Sequence, residues 1–375
     1  MKQLNNPFVI GKYVSKEYFC DRKKESEQLV HHIVNGRHVT MMSERRLGKT
    51  GLVEHVFANC LPDEYETFLI DIYTCKNLRE MVYLLANEVF RKIARKQPLM
   101  ERLLHTVRSI KMTISYNTVT ELPEFGLGMS EIQQPEVTLD EILHYLETSD
   151  KVCVVAIDEF QKIASFEEDD IEALLRTKIQ HLKNTQFIFA GSERHLMEQI
   201  FSDPTRPFYN SVVFMQLLPI DEDEYIRFCQ RMFSLYGKTV SEKLVSRLYD
   251  CFQGITWYLQ LSMNEAFTLA EHGGHVGEDS YGHILNHMVD SKRFTFEDRY
   301  ASLTEKQKSV LLAIAEEYPN EPTLTSHDFI AKYNLKTASN VQTAVKGLLE
   351  KGILSERHGA KRPTDLLFIL WLKNF

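Results

Sequence analysis

The run Ser43-Glu-Arg-Arg-Leu-Gly48-Lys49-Thr50 combines a turn, a lysine and a hydroxyl at the spacing that grips a polyphosphate. In such a loop, backbone N–H groups at a helix start surround one phosphate. The Lys49 ammonium then reaches the β and γ oxygens, and the Thr50 hydroxyl is offered to Mg²⁺. Nucleotide contacts are expected from Ser43, Arg46, Leu47, Gly48, Lys49, Thr50 and Gly51. The pattern normally opens on Gly, and Ser43 stands in its place; Ser adopts the angles open to Gly only at a cost. A lysine-bearing loop that merely precedes a helix is the alternative, and the intact G-K-T argues against it.

Ile157-Asp158-Glu159 closes the apolar run Val152–Ile157. Carboxylates at the C-terminal edge of a parallel sheet stand where α/β proteins bind ligands. Asp158 is expected to hold Mg²⁺, and Glu159 to polarise the attacking water. Gln186-Phe-Ile-Phe-Ala-Gly-Ser192 ends a further strand, and Ser192 is a candidate for the γ-phosphate or that water; an ordinary turn or helix-cap serine is the competing reading. Arg206, in Arg206-Pro-Phe-Tyr209, is a candidate for supplying positive charge in the transition state. Arg46 is a second candidate for a phosphate or sensor contact. The acidic runs Glu167–Asp170 and Asp221–Glu224 read as solvated helix starts.

The elements that must position these groups alternate. His38–Met42, Thr67–Asp71, Val152–Ile157, Gln186–Ala190 and Val212–Leu217 read as buried strands, and Leu78–Arg95 carries apolar residues at helical spacing. Strands separated by helices predict an α/β P-loop core: a parallel sheet with helices on both faces. Residues 96–137 break the rhythm, and about 108–132 within them read as a β-hairpin insertion. After Pro219 the pattern is helical (Glu222–Tyr236, Ser241–Phe252, Trp257–Glu271, Tyr281–Lys292). The expected domains are a core over 1–218, an α-helical lid over 219–297 and a C-terminal module over 298–375.

Composition is that of a globular chain: 375 residues, 43% hydrophobic and 26% charged. Six scattered cysteines form no C-x-x-C pair, and no histidine pattern suggests metal catalysis. No apolar run approaches the ~18 residues needed to span a bilayer. The N-terminus has no long apolar stretch of the signal-peptide kind. The expected location is the cytoplasm, with no membrane partner.

In order, R-R-x-G-K-T, I-D-E-F-Q, F-x-x-x-G-S and R-P-F-Y resemble the AAA+-like ATPases of the STAND branch, and most of all the archaeal-type ATPase family also widespread in bacteria. The opening Asn6-Pro-Phe8 … Phe19-Cys-Asp21-Arg22 is similar to that family's N-P-F … F-x-G-R, with Asp21 in place of Gly. The resemblance implies that Phe8 and Arg22 lie near the adenine. Gly254-Ile-Thr256-Trp-Tyr258 resembles the lid motif G-x-P-W-Y, with Thr256 replacing the proline, and Thr364–Leu372 resembles the family's ending.

In the last 78 residues, Leu303–Ile314, Thr325–Asn334 and Ser339–Lys351 read as three helices, with Thr304 as an N-cap. A wing is expected through His358–Arg362 and back along Leu366–Leu370. That is a winged helix. Gln342, Thr343 and Lys346 on its third helix, and Arg357, Lys361 and Arg362 at the wing, suit base edges and phosphates. The chain carries net charge −8, yet Lys332–Arg362 holds seven basic residues against two acidic. Double-stranded DNA is therefore a candidate partner; a protein partner or a second copy of the chain is another. The first functional expectation is an ATP-hydrolysing switch, with ATP/ADP and Mg²⁺, whose nucleotide state controls the winged helix. The alternative is a DNA-binding or scaffold protein with bound nucleotide and little turnover.

Overall fold

A computed structural model of the chain describes residues 4–93, 97–109, 113–116, 123–126, 129, 132–357 and 359–373. In chain order the strands are β1 (Val39–Met42), β2 (Tyr65–Asp71), β3 (Thr113–Tyr116), β4 (Pro123–Gly126), β5 (Val152–Asp158), β6 (Thr185–Gly191), β7 (Val213–Gln216), β8 (Thr239–Val240), β9 (His275–Val276), β10 (Leu354–Arg357) and β11 (Ala360–Pro363). The chain forms two compact units: Gly11–Ile220, and Met1–Ile10 together with Asp221–Phe375.

The first unit is built on a five-stranded sheet in the order β2-β5-β6-β1-β7. Every pairing in it is parallel. All of β6 is buried, and all of β5 except Val152, as continuous apolar runs covered on both faces require. The helix Leu78–Ile93 buries the stripe Leu78, Met81, Val82, Leu85, Ala86, Val89, Phe90 and Ile93, the spacing read from the sequence. Beneath the end of β5, Phe160, Phe189, Phe201 and Phe208 pack with ring centroids 4.4–5.7 Å apart. Phe208 belongs to the R-P-F-Y run, so that run is anchored by a core phenylalanine. In the predicted insertion, β3 and β4 pair antiparallel from Thr113–Gly126 to Tyr116–Pro123; the turn between them lies outside the described residues.

The second unit is helical. Phe8 is wholly buried with Phe228, Phe233 and Phe267. The segment is stitched in by two bonds: Asn6 donates to the Asn264 carbonyl (3.0 Å), and Asn264 donates to that of Phe8 (2.8 Å). Thr256, where the family motif has proline, is the first residue of the helix Thr256–Leu269. Proline favours that position without being required there. The helix Glu305–Glu317 opens with a full capping box between Thr304 and Gln307. It is followed by helices His327–Lys332 and Ala338–Glu350 and the antiparallel pair β10–β11.

One expectation is corrected. Leu366–Leu370 does not return along the wing: β11 is Ala360–Pro363, and Leu366–Lys373 is a helix. A short run that is apolar at every position carries no period, so it fits a buried helix as well as a strand. Here the burial is all-round, and Phe368 and Trp371 pack on Phe296. The Tyr258 hydroxyl fixes its start, accepting from the Leu366 N–H (3.0 Å) and donating to Asp365 (3.1 Å).

At the head of β1, His38 Nδ1 accepts the Phe187 N–H (3.1 Å), which requires a neutral ring. Burial, reinforced by the Arg176 charge, pushes its pKa down from 6.5 to about 4. The unfolded chain therefore takes up the proton first, and stability is lost as pH falls from about 6.5 towards about 4. In denaturant melts across this range, His38→Asn should flatten the loss; an unchanged slope would refute the assignment.

Candidate nucleotide-binding site

The phosphate loop leaves β1 at Met42, and the Ser43 N–H still reaches the Gly191 carbonyl of β6 (3.5 Å). It turns through Arg46 (φ 70°) and Gly48 (φ 88°) into the helix Lys49–Asn59. Gly48 caps that helix with no side chain, so its first N–H groups are left for an anion. Ser43 is not among the described non-glycine residues with positive φ, so replacing Gly there carries none of the expected backbone cost. Its hydroxyl instead accepts from Lys49 Nζ (3.3 Å) and donates to the Glu44 carbonyl (2.8 Å). Asp21, the other replaced glycine, does take the left-handed region (φ 42°), which Asp tolerates better than most residues.

Arg22 lies beneath the loop, 3% exposed. Its guanidinium donates to the carbonyls of Leu47 (3.1 Å) and Leu218 (2.6 Å) and pairs with Glu25 (2.7 Å). The structure thus places Arg22 as a strap on the loop's backbone. Leu47 is buried, while Gly48 and Thr50 are exposed.

The loop and the acidic strand end come together. The Thr50 hydroxyl donates to the Asp158 carboxylate. Asp158, 5% exposed, also accepts the Glu159 N–H (2.9 Å). Glu159 occupies the left-handed region (φ 56°), which turns it off the strand axis. Its Oε2 accepts from the Ser192 hydroxyl (2.7 Å) and from the Gln161 amide. Sequence reasoning gave Gln161 no role, although it stands two residues after Glu159. Gly191 lets the group close up, because a Cβ there would lie 2.6 Å from Gln161 Oε1 and collide with Met197. Lys49 is 6% exposed. Burial pushes its pKa down, against the opposing charges of Asp158 and Glu159.

Arg206 is held in a two-pronged pair with the buried carboxylate of Glu172 (Nε 3.0 Å). Arg46 is exposed on the loop. Among the described residues, no group of three or more His, Cys, Asp and Glu side chains could hold a metal alone. Thr50 and Asp158 fit Mg²⁺ as a hydroxyl and a carboxylate oxygen in mutual contact, since that ion keeps phosphate and water for its remaining positions.

In three dimensions the chain is similar to the Walker-type ATPase PABY2304 of Pyrococcus abyssi. The TM-score is 0.66 at 19% identity, over 98% of this chain and 99% of that one. It is also similar to the ORC2 protein of Aeropyrum pernix in its ADPNP-ADP complexes, with TM-score 0.58 and 15% identity over 98% and 96% of the two chains. A family model described as "Probable winged helix domain" matches residues 294–374. The fold is that of a Walker-type ATPase with a C-terminal winged helix. At these identities the likeness is one of fold. A comparison with curated protein sequences finds no match.

On the winged helix, Gln342, Thr343 and Lys346 are exposed along one side of Ala338–Glu350. Three of its cations have acidic neighbours: Lys346 lies 3.9 Å from Glu350, Lys361 pairs with Glu356, and Arg362 with Glu321. The Arg357 side chain lies outside the described residues. No helix among the described residues is long and apolar enough to cross a membrane.

The buried Lys49 ammonium sets a test. A depressed lysine pKa means the folded chain holds that proton less firmly than the unfolded one, so removing the charge relieves the fold. Lys49→Met should abolish nucleotide binding in titration calorimetry, while the Tm of the nucleotide-free protein stays level or rises. A fall beyond about 4 °C, on the order of 1 kcal/mol or more, would make Lys49 a structural residue instead.

Proposed function

We propose that the chain is a cytoplasmic, Mg²⁺-dependent ATPase that acts as a molecular switch. The observation carrying this reading is the continuous hydrogen-bonded path Thr50–Asp158–Glu159–Ser192, which joins the phosphate loop to the ends of β5 and β6. Lys49, already stripped of water, attracts the β and γ phosphates more strongly than a hydrated lysine would. Thr50 and Asp158 would hold Mg²⁺, which would supply positive charge against the phosphates. Glu159 orients the attacking water and takes its proton, with Ser192 beside it. Arg206, released from Glu172, adds positive charge as the γ-phosphate departs. Phosphate release should vanish by at least ~100-fold in Glu159→Gln, within the range of such groups, with nucleotide affinity retained. Turnover that survives the change would refute the role of Glu159.

The switch acts on the winged helix, whose partner is duplex DNA or a protein. The exposed Gln342, Thr343 and Lys346 favour DNA, whereas the acid-paired Lys361 and Arg362 favour a protein. If the wing grips phosphates, alanine at Lys346, Lys361 or Arg362 should each lower the salt slope of duplex binding by about one. Unchanged slopes would favour the protein partner, and with it the second reading of a nucleotide-stabilised scaffold.

A further inference from the structure

Gln161 is 2% exposed, and it spends its amide N–H on a carboxylate already bonded to Ser192. Two neutral donors thus converge on one oxygen, Oε2 of Glu159. Glu159 itself sits on a left-handed turn at the start of the 3-10 segment Phe160–Ser165. A glutamate side chain has several staggered rotamers open to it, so its tip is fixed only by the contacts it makes. The holding group is built in. Phe160, on one side of Gln161, is wholly buried among phenylalanines. Gly191 is kept clear for the Gln161 amide, and Met197 packs against the same spot. The carbonyl oxygen of Gln161 is buried with no hydrogen-bond partner. A side chain that leaves one polar atom unsatisfied, at a cost of about 1–3 kcal/mol, is poorly explained as packing. A methionine would fill the space without that penalty.

We propose that Gln161 is a positioning residue for hydrolysis: its amide fixes the Glu159 carboxylate in the one orientation from which it can direct water at the γ-phosphate. This rests on the ATPase reading above and adds a residue to it. Gln161 acts through Glu159 and touches no nucleotide atom, so its removal should change the rate of the chemical step and leave binding alone. Ser192 donates to the same oxygen, so the two residues should also substitute for each other in part.

Steady-state phosphate release and ATP affinity, measured on the full chain for the wild type, Gln161→Met, Gln161→Glu, Ser192→Ala and the Gln161→Met/Ser192→Ala pair, test this. Gln161→Met keeps the volume beside Gly191 and loses the donor. It should lower kcat by ~10-fold or more, as expected for a bond to a charged group. KM should be unchanged, and Tm should not fall. Gln161→Glu, of the same shape but repelling Glu159, should fall further. The double variant should lose a factor different from the product of the single losses, because both donors act on one oxygen. Unchanged kcat in Gln161→Met, or a KM that rises in step with the loss, overturns the inference while Glu159-dependent turnover keeps the ATPase reading. No turnover by the wild type overturns both.

Discussion

The hydrogen bond between Thr50 and Asp158 spans a strand. Thr50 follows β1 and Asp158 ends β5, with β6 between them. Neighbouring strands lie about 4.8 Å apart, so the chain must cross about 10 Å along the sheet's edge before the two side chains can meet. That is met only if the loop climbs over β6 and the register holds. A one-residue slip of β5 would turn Asp158 to the other face. The unbroken burial of β5 and β6 makes such a slip expensive, because it would rearrange side chains packed on both faces. Register fixed by the core thus becomes distance fixed at the site.

Electrostatics divides the molecule in a similar way. In the first unit a lysine is buried beside two carboxylates, Ser43 holds its ammonium, and Arg22 braces the loop from below. The Lys49 ammonium and the Asp158 carboxylate are dehydrated, so each acts at close range. On the winged helix Lys346, Lys361 and Arg362 are at least partly exposed and lie beside acids. Pairs of that kind contribute little to stability and are screened by salt, which makes them exchangeable for a partner's charges.

Much of this was legible in advance. The five core strands came from apolar runs within a residue or two of where they lie; burial on both faces explains this for β5 and β6, whereas the edge strand β7, read as buried, exposes Phe214 and Gln216. Thr304 announced its cap through a hydroxyl three residues before Gln307. The Leu366–Lys373 helix was misread as a strand, since seven apolar residues in a row carry neither period. Phe8 and Arg22 were assigned by resemblance to the adenine. Phe8 is buried by aromatic rings 220 to 259 positions away, and Arg22 is held by carbonyls 25 and 196 positions away, which no local pattern displays.

The sequence by itself determined which groups are available: a lysine and a hydroxyl after a glycine, two acids after an apolar strand, a serine after another. It also determined that helices separate those strands, because short-range hydrophobic spacing is a local property of the chain. Tertiary structure alone decided that β6 lies between β1 and β5, and that Gly191 clears room for Gln161. It decided as well that Arg206 pairs with Glu172, and that Ser43 meets Lys49 without a strained backbone. These are facts of strand order and close packing. They arise from contacts between residues distant in the chain, whose energies exist only once the whole sheet has formed.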